Sequence, residues 1–576
     1  MKKVYTLIYV AFNLLSNKID NLYNMTESLN KLLEKSIKEN WNNPALTNYK
    51  SITIHYRDVA RKIEKMHIVF EICGLHKGDK VAICGKNQAN WGVAFLAALT
   101  YGAVPVPLLN EFTSTNIYHL VNHSDARIFF VGDIIWEGLS QSEMPNLEAI
   151  VLLSDLSLMY SERNEINDAF DRLNELFGKK YPKNFSPNDI SYYKDEPDEL
   201  AMINYTSGTT GFSKGVMLSY RSLLSNLYFA RVVEPHMNSQ SNCVSMLPTA
   251  HMYGFLFEFL FEMIIGAHVH FLTRLPTPKV LLDAFSEVKP DIIISVPMVI
   301  EKIYKKRLEP LLEKGSLKLL MNVPVIDQKI YKKIDTALVE AFGGKFEEVI
   351  IGGAAFNKEA ETFFKKIGFR YTVGYGMTEC GPIICYAHWN EHKLHSCGRI
   401  VPRMQLKINS SDPHNTPGEI LVKGDNVMMG YYKNEEATKA TFTEDGWLKT
   451  GDLGIVDEDG FLFIRGRSKT MILGPSGQNI YPEEIESGIN NLPYVIESLV
   501  ISVNNKLVAL IYPDEELASS DGLTLRALKK LLEKNVVELN QLSPSYLKVS
   551  SIELMPEEFA KTPKRSIKRY LYQRNN

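Results

Sequence analysis

Apolar positions along this chain first fall into short unbroken runs separated by longer stretches of mixed periodicity. Val81–Cys84, Arg127–Val131 and Ala149–Leu153 are such runs, and each predicts a short buried strand. Between them WGVAFLAALTYGA, starting at Trp91, predicts a helix that ends near Gly102. Val104–Leu109 reads as extended, because its prolines disfavour helix. Residues 156–200, punctuated by Pro182, Pro187 and Pro197, are less regular and are expected to form a surface excursion leading to another strand. The rhythm returns with a strand at Ile292–Val296 and an amphipathic helix from Ile326, whose Ile326, Ile330, Ile334, Leu338 and Phe342 recur every four residues. Glu348–Ile351 predicts a further strand, running into Gly352-Gly353-Ala354; Asn357 is then expected to cap a short helix that stops at Gly368. This βα alternation predicts an α/β domain with buried sheets.

The texture changes near 464–470. Beyond it, Ser498–Val503 and Lys506–Tyr512 flank Asn504-Asn505, a hairpin signature, and a helix is expected from Leu525 to about Leu539. The predicted organisation is an extension at 1–24, a large α/β domain of several sheets and helices at 25–466, and a small mobile α+β domain at 467–576. Two segments imitate membrane elements. Residues 1–15 place two lysines before an apolar run, yet no small-x-small cleavage site follows, and Met25 opens a more ordinary beginning. The stretch at 255–272 carries Glu258, Glu262, His268 and His270, charges that are expensive at a bilayer centre, so a buried helix followed by a strand is expected.

Composition narrows the function little. At 576 residues, 45% hydrophobic and 23% charged, the chain has ordinary globular values and enough material for large cores. A formal net charge of −3 argues against a dedicated nucleic-acid binder. The six cysteines are scattered without a CxxC pair and read as reduced thiols of a cytoplasmic protein.

The chemistry concentrates at Tyr205–Val216, YTSGTTGFSKGV. Thr206, Ser207, Thr209 and Thr210 supply hydroxyls, Gly208 and Gly211 free the backbone, and Lys214 adds a positive charge. Such a set makes a nest for phosphate, with a spacing that is not the Walker loop's. Further on come GYGMTECGP at 374–382, TGDLG at 450–454, RGRSKTMI at 465–472 and LPTAHMYG at 247–254.

In this order the motifs resemble those of the adenylate-forming superfamily, which includes acyl-CoA synthetases, peptide-synthetase adenylation domains and beetle luciferases. The resemblance spans nearly the whole chain and implies that superfamily's fold. It implies that Tyr375 stacks on adenine within Gly376-Met377, that Thr378 and Thr206 meet phosphate, and that Glu379 holds Mg²⁺. It places Asp452 and Arg467 on the ribose, Gly353 and Ala354 along the nucleotide and acyl carbonyl, His251 in the acyl-site wall, and Lys469 at the hinge between domains. The implied reaction uses ATP, Mg²⁺ and coenzyme A: a carboxylate attacks the α-phosphate, then a thiol takes the acyl group and AMP leaves. LPTAHMYG, Phe255–Phe261 and GRSKTMILGPSGQNIYPEEIE look most like long-chain fatty acyl-CoA synthetases, although Glu258 and Glu262 suit a greasy tunnel only if they face away from it.

The end of the chain departs from the pattern. KTPKRSIKR at Lys561–Arg569 puts Ser566 where relatives keep the lysine that reaches the α-phosphate, so Lys568 or Lys564 is expected to substitute. The same basic tail leaves peripheral contact with a membrane face open. An acyl-AMP ligase loading a carrier protein, a luciferase-type oxygenase and a non-catalytic lipid or nucleotide binder remain as alternatives. His388, His392, His395 and Cys397 match no zinc spacing and read as a loop beside the active site.

Overall fold

The computed structural model describes residues 27–206, 213–305, 326–473, 479–504, 506–541, 544, 547–562 and 566–574. Its N-terminal part holds a five-stranded sheet in the order Val104–Leu108, Lys80–Cys84, Ala126–Val131, Ala149–Leu152, Leu158–Tyr160, parallel except for the last pair. Pro105 and Pro107 are accommodated because N–H groups alternate sides along a strand. Val104 and its alternates face Lys80–Cys84, so both prolines turn their missing donor away. The helix Ala89–Tyr101 is buried on every side and stops at Gly102, whose φ of 88° only glycine adopts freely. Trp91 stacks on Phe95, which packs at 4.5 Å against Phe255, and a Cβ on Gly92 would lie 2.8 Å from the Phe259 ring. That close approach ties the first sheet layer to the 252–265 helical segment.

The run at 255–272 is the expected buried helix and strand: a helical turn Met252–Phe255, a π turn Leu256–Leu260, a helical turn Phe261–Ile265, Gly266 at φ 82°, then strand His268–Phe271. Among the described residues no helix is long and apolar enough to cross a membrane. The excursion expected at 156–200 needs correction. It contains helices Asn164–Asp171 and Leu173–Lys180, and its end buries Ile190, Tyr192 and Asp195. The prolines there mark turns between packed pieces. Asp195 accepts hydrogen bonds from Ser28 Oγ (2.6 Å), Leu29 N (3.0 Å) and Asn30 N (2.8 Å), which satisfies the first turn of helix Leu29–Glu39 and its positive end.

Asn357 and Gly368 cap helix Lys358–Ile367 as its sequence indicates. One apolar core extends from Leu29 to Leu462. Beyond it, the hairpin Val495–Val503 and Lys506–Pro513 pairs with Val549–Leu554, turning at Asn504 with φ 51°. Its side chains alternate: Val500, Ala509 and Ile511 face helices Pro482–Ile489 and Leu525–Gln541, while Leu499, Ile501 and Leu510 face Phe559 and Tyr572. The calls at 1–24 and on Asn505 fall outside the described residues.

Candidate active site

Three parallel strands, Ile293–Ser295, Val349–Ile351 and Tyr371–Val373, end in register, with Ile351 opposite both Ser295 and Val373. The turns that follow, Gly352-Gly353 and Gly374-Tyr375-Gly376, therefore leave the same sheet edge, the carboxyl-end position where open α/β sheets form ligand crevices. Glycine is required here. A Cβ on Gly376 would sit 2.2 Å from the Pro382 carbonyl oxygen, and Gly353 has φ +87°.

On one side of this crevice the polar groups are paired with each other. Tyr375 is buried and its hydroxyl donates to Asp452 Oδ2 at 2.6 Å. Arg467 Nε lies 3.2 Å from Asp452 Oδ1, because the two residues oppose each other on antiparallel strands. Burial raises the Asp452 carboxyl above its ordinary range, against the pull of Arg467 and Tyr375. Glu379 follows in a short turn at Thr378–Cys380 and accepts from the Tyr431 hydroxyl at 3.0 Å; the Lys214 ammonium lies 4.6 Å from the centre of the Tyr431 ring. Strands Leu200–Thr206 and Lys214–Ser219 pair Thr206 with Lys214, and the Thr206 hydroxyl donates to the Lys214 carbonyl at 3.5 Å. The ends of the hydroxyl-rich loop are thus held together, while Ser207, Gly208, Thr209, Thr210 and Gly211 lie outside the described residues.

Tyr431 was not singled out by the sequence, since a tyrosine in a GYY run carries no distinctive signal; only strand pairing of Gly430–Tyr431 with Val216–Met217 brings it here. Asn226 is a second such residue. It donates to the Cys380 carbonyl (3.2 Å) and accepts from Ile383 N (3.0 Å), bracing the turn after Glu379.

On the other side lies a mainly apolar cleft that reaches Tyr375, Met377 and Thr378. His251 lines it, and its Nδ1 accepts from Tyr253 N at 3.3 Å as the cap of the 252–265 segment. Phe257 and Phe261, four apart, face the cleft. Glu258 and Glu262 turn away from it, as a greasy tunnel requires, but into the core rather than solvent: both are fully buried. Glu258 Oε2 accepts from Met246 N (3.1 Å) and Leu247 N (3.0 Å). Gly353 and Ala354 are exposed beside the cleft mouth.

Farther along the chain, Lys469 is exposed in the turn after Arg467. Lys564 lies outside the described residues; Ser566 and Lys568 flank Ile567, which bridges to Lys561, and Arg569 pairs with Glu486. The histidine-rich segment packs on helix Lys358–Ile367. His392 Nε2 and His395 Nδ1 lie 3.0 and 2.9 Å from the two oxygens of Glu361, and His388 lies beside Asn390.

Glu379 fits the demands of a magnesium ion. It is a partly exposed carboxylate, and magnesium takes one or two carboxylates and fills its octahedron with phosphate and water. Among the described residues no three His, Cys, Asp or Glu gather closely enough to hold a metal unaided.

Residues 33–432 match the family model described as AMP-binding enzyme. The chain is 29% identical over 473 residues to the long-chain-fatty-acid–CoA ligase FadD15 of Mycobacterium bovis, covering 77% of this chain and 74% of that protein. It is 29% identical over 523 residues to the peroxisomal long chain acyl-CoA synthetase 6 of Arabidopsis thaliana, covering 85% and 73%. Among solved structures it resembles ATP-bound MatB from Rhodopseudomonas palustris, with a TM-score of 0.72 at 22% identity over 95% of this chain and 98% of that one. The expected α/β fold of adenylate-forming enzymes is the fold observed.

Proposed function

The chain belongs to the AMP-binding enzyme family, and from that premise we propose that it activates a fatty acid with ATP and passes the acyl group from an acyl-adenylate to coenzyme A. The observation that carries this reading is that two paired polar sets, Tyr375–Asp452–Arg467 and Glu379–Tyr431–Lys214, meet beside a cleft with mainly apolar walls. The first set suits a nucleoside: an aromatic face for adenine and, in Asp452, an acceptor for the vicinal hydroxyls of ribose. The second suits a triphosphate, with Lys214, the hydroxyl loop and magnesium held by Glu379 offsetting charge that builds on the phosphates. The apolar cleft takes the acyl chain, whose carboxylate is already ionised at neutral pH and needs no base. His251 is then a wall and a cap rather than a proton acceptor.

Adenylation also calls for a cation from the C-terminal domain. Ser566 and Lys568 lie either side of Ile567, whose bridge to Lys561 fixes that short stretch. Lys568, two residues on from Ser566, substitutes for the missing lysine, with Lys564 as the alternative, and the domain beyond Lys469 turns so that the thiol can reach the activated carbonyl. The names of the relatives favour long-chain acids, and the apolar lining of the cleft agrees with a fatty chain.

The test is conversion of ATP to AMP and pyrophosphate by purified protein with magnesium, across a series of fatty and aryl acids, followed by transfer to coenzyme A or to a carrier protein. Acid-dependent pyrophosphate release with long-chain fatty acids, and acyl-CoA as product, are expected. Equal or better use of aryl acids overturns the fatty-acid assignment, and transfer only to a carrier protein overturns the coenzyme A step. ATP binding without turnover marks a binder that has lost the reaction.

A further inference from the structure

Resting on that acid-activating reading, we infer that Tyr431 is a positioning residue: it stands between Lys214 and Glu379 and keeps the ammonium from pairing with the carboxylate that magnesium needs. Both charged groups meet this one side chain. Its hydroxyl donates to Glu379 Oε1 at 3.0 Å, and Lys214 Nζ lies over its ring, 4.6 Å from the centre. Among the described residues neither Lys214 nor Glu379 enters an ion pair. Opposite charges this near to each other in a half-buried site attract, and lysine has a flexible four-carbon stem on which to swing. The ring is what lies between them.

The fold holds Tyr431 more firmly than the groups it separates. Val216 opposes Tyr431 on antiparallel strands and Lys214 comes two residues before Val216, so Lys214 and Tyr431 are diagonal neighbours on one face. Tyr431 N donates to Thr438 Oγ1 at 2.9 Å, and Tyr432 N to Gly215 O at 2.7 Å. The hydroxyl is hydrogen-bonded with the Thr441 side chain as well as with Glu379, and the residue is only 6% exposed. The same segment grips the backbone of Glu379, whose carbonyl accepts from Met428 N at 2.8 Å. Lys214 and Glu379 themselves are half-buried.

Tyrosine meets both demands at once. Its ring face attracts an ammonium without neutralising it, and its hydroxyl orients a carboxylate while leaving the charge in place. An aliphatic side chain would do neither. A lysine–glutamate pair formed in its absence would occupy the oxygens that a magnesium ion has to share with phosphate, and would hold back the cation meant for the phosphates. Tyr431 therefore acts through Glu379 and Lys214, and its loss should appear first in metal binding.

The test is a double-mutant cycle on metal binding rather than on turnover. Purified protein saturated with α,β-methylene-ATP is titrated with Mn²⁺, and the free ion is followed by its electron paramagnetic resonance signal. Tyr431→Leu is expected to weaken Mn²⁺ binding by about tenfold where Lys214 is present, and by less than about threefold in a Lys214→Met background. Tyr431→Phe keeps the ring and should lose about threefold in either background, the worth of one hydrogen bond. If Tyr431→Leu does not fold, Tyr431→Met is carried through the same cycle with the same expectation. Equal losses in the two backgrounds, or a loss for Tyr431→Phe as large as that for the aliphatic variant, overturn the assignment while leaving acid activation intact. A wild type that binds neither the nucleotide analogue nor Mn²⁺ would instead overturn the reading beneath it.

Discussion

Where the crevice faces the proposed nucleotide, Tyr375, Asp452 and Arg467 bond to one another, and Glu379, Tyr431 and Lys214 form a second set. Where it faces the acyl chain, the surface is Phe257, Phe261 and their apolar neighbours, and the carboxyl groups Glu258 and Glu262 lie behind it, in the core. The difference follows from what each wall has to recognise. A nucleotide presents fixed polar groups, so the wall that meets it needs directed partners, held by mutual pairing before the ligand arrives. A hydrocarbon offers no direction, and apolar contact accepts many chains with small differences between them. Discrimination on that side has to come from the few polar atoms within reach.

Substitutions can separate the two walls. The largest effect is expected from Glu379→Gln, which removes the charge proposed to hold magnesium. Acid-dependent pyrophosphate exchange should fall by about 10²–10³-fold with the order of preference among acids unchanged. A changed preference with a normal rate would erase the distinction. Next comes Lys568→Ala, expected to slow adenylation by roughly tenfold or more through loss of one charge-assisted contact to phosphate, with less effect from Lys564→Ala. If neither variant slows exchange, the small domain does not supply that cation. A smaller loss is expected for Tyr375→Phe, which keeps the ring and deletes only the bond to Asp452. KM for ATP should rise by about fivefold, with KM for the acid unmoved.

The same contrast explains how much the sequence disclosed. Asn357, Gly368 and the strands bracketing Gly352-Gly353 were legible because caps, turns and apolar runs are local signals. Motif residues of the polar wall were legible because directed chemistry constrains residue type at fixed spacing. Tyr431 was not, since it reaches Glu379 only through strand pairing 52 positions away in the chain. The helices within 156–200 were missed because prolines at their turns mask short packed pieces.

The acids behind the apolar wall give the smallest and most indirect effect, on stability rather than rate. Glu262 is fully buried, its carboxyl hydrogen-bonded to the Cys243 thiol and near Tyr56, Glu258 and Asp291, and burial followed by Asp291 pushes it up to about 8. In the unfolded chain a glutamate titrates near its ordinary value of about 4.3. Between those two values the native state keeps a proton that the unfolded state has released, so the native state binds more protons and stability falls as pH rises. Below about pH 4.3 both states are protonated and the stabilisation is whole; it is lost progressively as pH climbs toward 8. Glu262→Gln has no proton to release and should flatten the decline in melting temperature between pH 5 and 8, whatever it does to the temperature itself. Melting curves that run parallel for wild type and variant across that range would mean that Glu262 is ionised in the native core, and the apolar wall would then be backed by charge after all.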